Sequence, residues 1–330
     1  MNHLTDPIRT LIEEKYGLNT TIQPLQEEAS TRRYFSILNG DHGSKYVLCL
    51  DQTINQDFIL LSEFLIKNQI RVPRVIYQNE QLNITIQSWE GSKDFNSLSL
   101  KEYKGRLPTV LNLILKLQTL EPPSFVASRK FDTEKLMFEI NLTIEKFLLM
   151  AKRFDLDTQL SNEASSFLEE SARYLNQHPV NVFTHRDFHS RNLLLNDEGT
   201  FTLIDFQDAR MGVPQYDLAS IIYDAYYPLP RDFRKEMIDF FQKKTIGGDK
   251  KFKETFYLQA LQRSFKALGT YFRMIVDQNN DKFKPSVITC LEQLEEIIQI
   301  GMFSDSLYIF IRSLRNEFAR HPEFKSPSNL

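Results

Sequence analysis

Apolar and polar positions follow two rhythms along this chain, and the change from one to the other divides it. Ile8, Leu11 and Ile12 are spaced as on one helical face, which predicts a short amphipathic helix over residues 6–16. Tyr34, Phe35 and Ile37 favour a strand that an Asn39-Gly40 turn ends, and Tyr46-Val47-Leu48-Cys49-Leu50 is a second, almost wholly apolar strand. Phe58, Leu61, Phe64 and Leu65 share a face of a helix over residues 57–68, with Glu63 among them. Residues 72–78 and 83–88 read as two further strands. Residues 20–88 therefore predict β-β-α-β-β, a small antiparallel lobe with one helix. Trp89-Glu90-Gly91 breaks the pattern and reads as a hinge. Beyond it, apolar spacings of three and four predict helices over residues 112–120, 133–154 and 158–176, and three or four more over 231–320, including 256–276 and 285–302. The fold class is α+β, with two lobes bounded at residues 1–90 and 91–330.

One stretch departs from both rhythms. His185-Arg186-Asp187-Phe188-His189-Ser190-Arg191-Asn192 is crowded with ionisable groups. A short apolar run, Leu193-Leu194-Leu195, a turn around Asn196-Asp197-Glu198-Gly199, and Thr202-Leu203-Ile204-Asp205-Phe206-Gln207 follow it, which reads as a hairpin ending on a carboxylate. An Asp, an Asn five positions later and a second Asp beyond a hairpin match a phosphoryl-transfer site. One carboxylate there takes the acceptor hydroxyl, while the amide and the other carboxylate hold Mg²⁺ against phosphates. Three blander readings compete. His185 and His189, four apart, are spaced like a metal pair on a helix, but no helical stripe or third soft ligand accompanies them. Asp187, Asn192 and Asp205 are each common loop caps. Asp217, after Gly212-Val213-Pro214-Gln215-Tyr216, is placed to N-cap a helix over residues 218–227, which Pro228 and Pro230 end.

Composition narrows the class. The 330 residues can bury a large core, and a net charge of −3 lacks the basic excess of a nucleic-acid binder. Cys49 and Cys290 give neither a disulfide framework nor metal spacing, which points to a reducing, cytoplasmic setting. No apolar run approaches the ~18 residues of a membrane span. The expected partner is a small molecule acting on a monomer, with no nucleic acid and no membrane.

Together, His185-Arg186-Asp187-x-His189-x-x-Asn192, Ile204-Asp205-Phe206 and Tyr216-Asp217-Leu218-Ala219 resemble the aminoglycoside phosphotransferase and choline kinase-like family. Ala29-Ser30-Thr31-Arg32-Arg33-Tyr34-Phe35, Gln207-Asp208-Ala209 and Ala260-Leu261-Gln262-Arg263 bring the chain closer to the anomeric N-acetylmuramate and N-acetylglucosamine kinases of cell-wall recycling. The resemblance implies a bilobal protein kinase-like fold, with ATP and Mg²⁺ as cofactors. It implies Asp187 as catalytic base, Asn192 and Asp205 as Mg²⁺ ligands, and Asp217 as a brace for the catalytic loop. His189, Arg191, Gln207, Asp208 and Arg263 would touch substrate or support those that do. Adenine would meet backbone near Gln87, Ser88 and Trp89. Two departures stand out: Cys49 occupies the place of the usual phosphate-binding lysine, and residues 29–33 lack glycine. The phosphate contacts then fall to Ser30, Thr31, Arg32 and Arg33, although the same residues also make an ordinary solvated turn.

Other readings make separate demands. An inactive kinase-like binding protein would be expected to lack one of Asp187, Asn192 or Asp205. A protein kinase needs a long activation segment after Asp205, where Asp217 instead follows within a short loop. An aminoglycoside or choline kinase needs anionic or aromatic surfaces, whereas Lys and Arg outnumber Asp and Glu over residues 230–330.

Overall fold

The structure, a computed structural model, describes residues 4–25, 32–40, 43–196, 198–245 and 251–325. Ser30 and Thr31 lie outside them. The chain forms two compact units: residues 1–95 with 192–208, and residues 96–191 with 209–330.

In the first unit, α1 (Asp6–Tyr16) precedes β1 (Thr20–Pro24), β2 (Arg33–Asn39) and β3 (Lys45–Leu50). Then come α2 (Gln56–Lys67), β4 (Val75–Asn79), β5 (Ile84–Ser88) and the two-residue β6 (Lys93–Asp94). The five longer strands form one antiparallel sheet in the order β1-β2-β3-β5-β4. Its core joins Leu4, Ile8 and Ile12 to Phe35 and Ile37 of β2, Leu48 of β3, and Ile84 and Ile86 of β5. Because strand side chains alternate, Tyr34 and Cys49, which are paired across β2 and β3, face the opposite side. The antiparallel sheet with one crossing helix matches the expectation, with one strand more. β1 escaped notice because Thr-Thr-Ile-Gln-Pro carries a single large apolar residue. Its proline is tolerated because the strand lies at the sheet edge.

In the second unit, α3 (Leu100–Gln118), α4 (Ser124–Ala127), α5 (Thr133–Phe154) and α6 (Asn162–Asn176) precede β7 (Val182–Thr184). The hairpin β8 (Leu193–Leu195) and β9 (Phe201–Leu203) belongs to the first unit, where β8 pairs with β6. The second unit resumes with β10 (Arg210–Gly212), antiparallel to β7, then α7 (Tyr216–Ile222), α8 (Arg231–Lys244), α9 (Phe252–Gln278), α10 (Lys284–Gly301) and α11 (Asp305–Arg320). α3 starts a dozen residues before its apolar repeat becomes legible. A reciprocal Ser99–Glu102 capping box nucleates it, and burial of Tyr103, Leu107 and Val110 carries it through Pro108. The helix predicted from residue 158 begins at Asn162, where Ser161 accepts the Ala164 N–H. No helix among the described residues is long and apolar enough to cross a membrane.

Candidate active site

β7 runs into the loop from His185 to Arg191, and two buried carboxylates hold the loop backbone. Asp217 Oδ2 accepts the His185 N–H at 2.7 Å, and its Oδ1 accepts the Arg186 N–H at 3.0 Å. Asp224 Oδ2 accepts both the N–H (2.9 Å) and the hydroxyl (2.6 Å) of Ser190, while its Oδ1 takes the Tyr226 N–H at 2.8 Å. Asp217 is not the N-cap predicted for it. The helix begins at Tyr216 with Gln215 at the cap position, and the carboxylate in its first turn reaches back to the loop. Burial pushes its carboxyl up to about 7, against the pull of the two N–H donors.

Asp187 stands at the middle of this loop, partly exposed at 24%, with Lys266 Nζ of α9 2.7 Å from its Oδ1. Burial alone would raise its carboxyl. The nearby cations Lys266 and Arg186, with His189, outweigh burial and hold it far below the usual carboxylate range. The Arg186 guanidinium turns to buried Glu139, 3.5 Å away, which also accepts from Gln262 at 3.0 Å and pairs with Lys135 at 3.3 Å. Around the loop, Arg191 lies over the Tyr226 ring at 3.8 Å, and His189 meets the same ring edge-on at 5.3 Å. Arg263 is buried in α9, where burial alone would lower its pKa, but the interactions with Tyr271, Asp224, Tyr216 and Asp187 outweigh it and raise it. The structure thus brings together Asp187, His189, Arg191, Asp217 and Arg263. His185 and His189 lie on a loop, and among the described residues no group of three or more His, Cys, Asp or Glu could hold a metal.

The other predicted residues lie in the first unit. Asn192 and Asp205 flank the hairpin at its open end, where the Ile204 N–H donates to the Asn192 carbonyl at 3.0 Å. Asp205 has a left-handed backbone (φ 64°), is solvent-exposed and accepts the Gln207 amide at 2.7 Å. The intervening Phe206 is fully buried and stacks on Phe58 of α2 at 4.9 Å, which anchors the turn that presents Asp205. Asp208 is exposed.

On the sheet face away from α1, Arg32, Tyr34, Cys49, Asp51, Thr85 and Gln87 line a small cavity. Arg32 Nε donates to Asp51 Oδ2 at 2.9 Å, and its guanidinium also hydrogen-bonds Tyr34. Burial pushes the Cys49 thiol up to about 11, so it stays neutral. Arg33 is in β2, on the same alternation as Phe35 and Ile37. Gln87 is buried on Thr85 at 3.2 Å, Ser88 donates to Glu90 at 2.6 Å, and Trp89 lies under Lys45 at 3.6 Å. Glu90 further accepts from Arg71 at 2.9 Å and Thr202 at 3.2 Å, tying the end of β5 to β9.

Lys266, Asp224, Tyr226, Glu139 and Asp51 were absent from the sequence-based site. Two of them left a signal. Lys266 follows Arg263 by three residues, so both share a helical face, and Glu139 interrupts the apolar stripe Leu136, Ile140, Thr143 of α5.

A profile of the phosphotransferase enzyme family matches residues 21–250. The chain is 26% identical over 286 residues to an N-acetylmuramate/N-acetylglucosamine kinase of Neisseria meningitidis serogroup B, covering 82% of this chain and 83% of that one. It is 23% identical to a protein of the same name from Pseudomonas aeruginosa, with 83% of each chain covered. Among solved structures, an aminoglycoside phosphotransferase in ternary complex with ADP and hygromycin B superposes with a TM-score of 0.60 at 17% identity, over 90% of this chain and 99% of that one. A choline/ethanolamine kinase family protein from Mesorhizobium loti does so at 0.61 and 12% identity, over 94% and 99%. The α+β, kinase-like fold read from the sequence is therefore the fold observed.

Proposed function

We propose that this chain, which belongs to the phosphotransferase enzyme family, is an ATP- and Mg²⁺-dependent small-molecule kinase. Its acceptor is a sugar hydroxyl, the anomeric hydroxyl of an N-acetyl amino sugar. Residues 1–90 serve as the nucleotide-binding lobe and residues 91–330 as the catalytic and substrate-binding lobe. The observation that carries the reading is the Asp187 carboxylate, held anionic on a loop that Asp217 pins at one end and Asp224 at the other. Positioning of that kind is most of what a protein can contribute to phosphoryl transfer.

In the proposed reaction Asp187 accepts a hydrogen bond from the acceptor hydroxyl. The acceptor oxygen bonds to the γ-phosphorus as the β–γ bridging bond breaks, ADP leaves, and the hydroxyl proton passes to Asp187 and on to solvent. Asn192 and Asp205 offer an amide and a carboxylate oxygen at one end of a hairpin, a hard donor pair that suits Mg²⁺, which takes few protein ligands. When bound, Mg²⁺ neutralises phosphate charge. Arg32 supplies the cation that Cys49 cannot. The relatives named as N-acetylmuramate/N-acetylglucosamine kinases support the acceptor class. So do the cations Arg191, Arg263 and Lys266 around Asp187, which suit a neutral or acidic acceptor better than a cationic one.

A coupled ADP-release assay with N-acetylglucosamine, N-acetylmuramate, choline and an aminoglycoside tests this, with phosphorus NMR locating the new ester. The expected product is a sugar 1-phosphate formed only with Mg²⁺. Transfer confined to choline or the aminoglycoside would overturn the acceptor assignment, and no transfer to any of them would overturn the kinase reading.

A further inference from the structure

From Leu258 to Gly269, helix α9 is buried at every residue except Lys266. That one partly exposed side chain directs its ammonium onto Asp187 Oδ1 at 2.7 Å, with the lysine 16% and the aspartate 24% exposed. Arg186, another cation near Asp187, also pairs with Glu139 at 3.5 Å. We infer that Lys266 is a positioning residue for phosphoryl transfer: its ammonium fixes the Asp187 carboxylate in the orientation that receives the acceptor hydroxyl.

This rests on the reading of Asp187 as the group that takes the hydroxyl proton. An ammonium 2.7 Å from one carboxylate oxygen makes a charge-assisted hydrogen bond, stronger and more directional than a neutral one. It restrains rotation of the carboxylate. It also keeps the carboxylate ionised and weakly basic, so that proton transfer occurs late, as the O–P bond forms. A hemiacetal hydroxyl, more acidic than an ordinary alcohol, suits such a base. The charged and titratable groups facing Asp187 come from three elements: Lys266 and Arg263 from α9, Tyr216 and Asp217 from α7, and Arg186 and His189 from its own loop. Lys266 Nζ hydrogen-bonds Asp187 Oδ1 directly at 2.7 Å, so its removal should shift the behaviour of Asp187.

The test compares Lys266→Met and Lys266→Arg with the wild type across pH 5 to 9 in full kinetics, with circular dichroism confirming that each variant is folded. Lys266→Met should lower kcat by about 10- to 100-fold, the scale of a misaligned base. Its KM for ATP should stay within about twofold, and the acid limb of its kcat profile should move up into the assayed range. Lys266→Arg, which keeps the cation, should recover most of kcat and return the limb to low pH. An ion pair serving only stability would leave kcat and the limb unmoved in folded Lys266→Met, and that result would overturn the proposal. Failure of the wild type itself to phosphorylate any acceptor would overturn the underlying reading of Asp187. A folded Lys266→Met that misfires while Lys266→Arg is equally poor would also count against Lys266 acting through its charge.

Discussion

Arg186 holds a left-handed backbone (φ 80°), and the Asp217 carboxylate accepts its N–H at 3.0 Å. A non-glycine residue in that region pays about 1–2 kcal/mol, so the turn persists only where its surroundings enforce it. Asp217 supplies that enforcement from the first turn of α7, and the turn sets the direction in which the next residue, Asp187, leaves the loop.

Asp217→Asn should therefore destabilise the fold in a pH-dependent way. The amide keeps one acceptor for two N–H groups, which leaves one buried donor unmet at about 1–3 kcal/mol. The folded carboxyl titrates near 7, raised from 3.8 by burial. A raised carboxyl contributes stability that is fully present below its unfolded pKa and lost as pH rises through its folded one. The stability gap between wild type and variant should accordingly be widest near pH 4 and shrink as pH rises toward about 7. Denaturant titrations at several pH values read this directly. A gap that widens with pH would mean the carboxylate is ionised throughout.

Asp187→Asn should lower kcat by about 10²–10⁴ while leaving Mg·ATP affinity within a few fold, because in the proposed reaction the carboxylate acts on the acceptor hydroxyl. Because its carboxyl titrates far below the ordinary range, wild-type kcat should show no acid limb from Asp187 above about pH 4. Near wild-type turnover in the purified variant would remove Asp187 from the chemistry.

Asp205→Ala should abolish Mg²⁺-dependent nucleotide binding, since a hard cation against phosphates needs an anionic oxygen to anchor it. Asn192→Ala should act in the same direction and less, since the ligand proposed for Asn192 is a neutral amide. Calorimetry of Mg·ATP binding decides it, and unchanged affinity in the Asp205 variant would refute the ligand assignment.

How far the sequence disclosed this arrangement depends on what each residue type says locally. Phe58, Leu61 and Leu65 announce α2 by their spacing, and the 22-residue stripe of α5 gives its bounds to the residue. β1 and the first three turns of α3 were missed because an edge-strand proline and the Pro108 of a capped helix obscure the apolar repeat, while tertiary burial decides the outcome. Asp217 was legible as a helix-start residue, but its target was not. Whether a carboxylate caps its own helix or pins a loop 31 or 32 residues away is a matter of packing. Lys266 is a similar case, since its partner lies 79 residues earlier.

Gly269→Ala should destabilise the second unit. A Cβ there would clash with Thr143 Oγ1 and come 2.8 Å from its Cα, so α5 and α9 could keep their present approach only by shifting. Thr143 also donates to the Phe265 carbonyl at 3.1 Å, which limits how far it can yield. Overpacking of this kind costs about 1–3 kcal/mol, outweighing the better helix propensity of alanine. Chemical denaturation of the variant measures it, and an unchanged or raised midpoint would show that the helices separate freely.

Arg32 and Arg33 divide between the two faces of the sheet, and this bears on which group would meet the phosphates of the proposed nucleotide when β3 carries Cys49 there rather than a lysine. A nucleotide triphosphate brings about four negative charges, and Mg²⁺ offsets part of them. Arg32 shares a cavity with Tyr34 and Cys49 and is oriented by Asp51 at 2.9 Å, with its side chain 19% exposed. Arg33 follows the alternation of Phe35 and Ile37, on the side of the α1 core. A guanidinium held through Nε keeps its terminal nitrogens in one plane and one direction, as a fork to a phosphate requires. Arg32→Ala should therefore raise KM for ATP by about tenfold or more, a loss of about 1.4 kcal/mol that is within the range for a hydrogen bond to a charged group. KM for the acceptor should change little, and Arg33→Ala should leave both constants within about twofold. Asp51→Asn should give a smaller rise in KM for ATP, because it loosens the guanidinium without removing it. Equal and negligible effects of the two arginine substitutions would mean that neither replaces the lysine, and a larger effect of Arg33→Ala would place the phosphate contact on the other face.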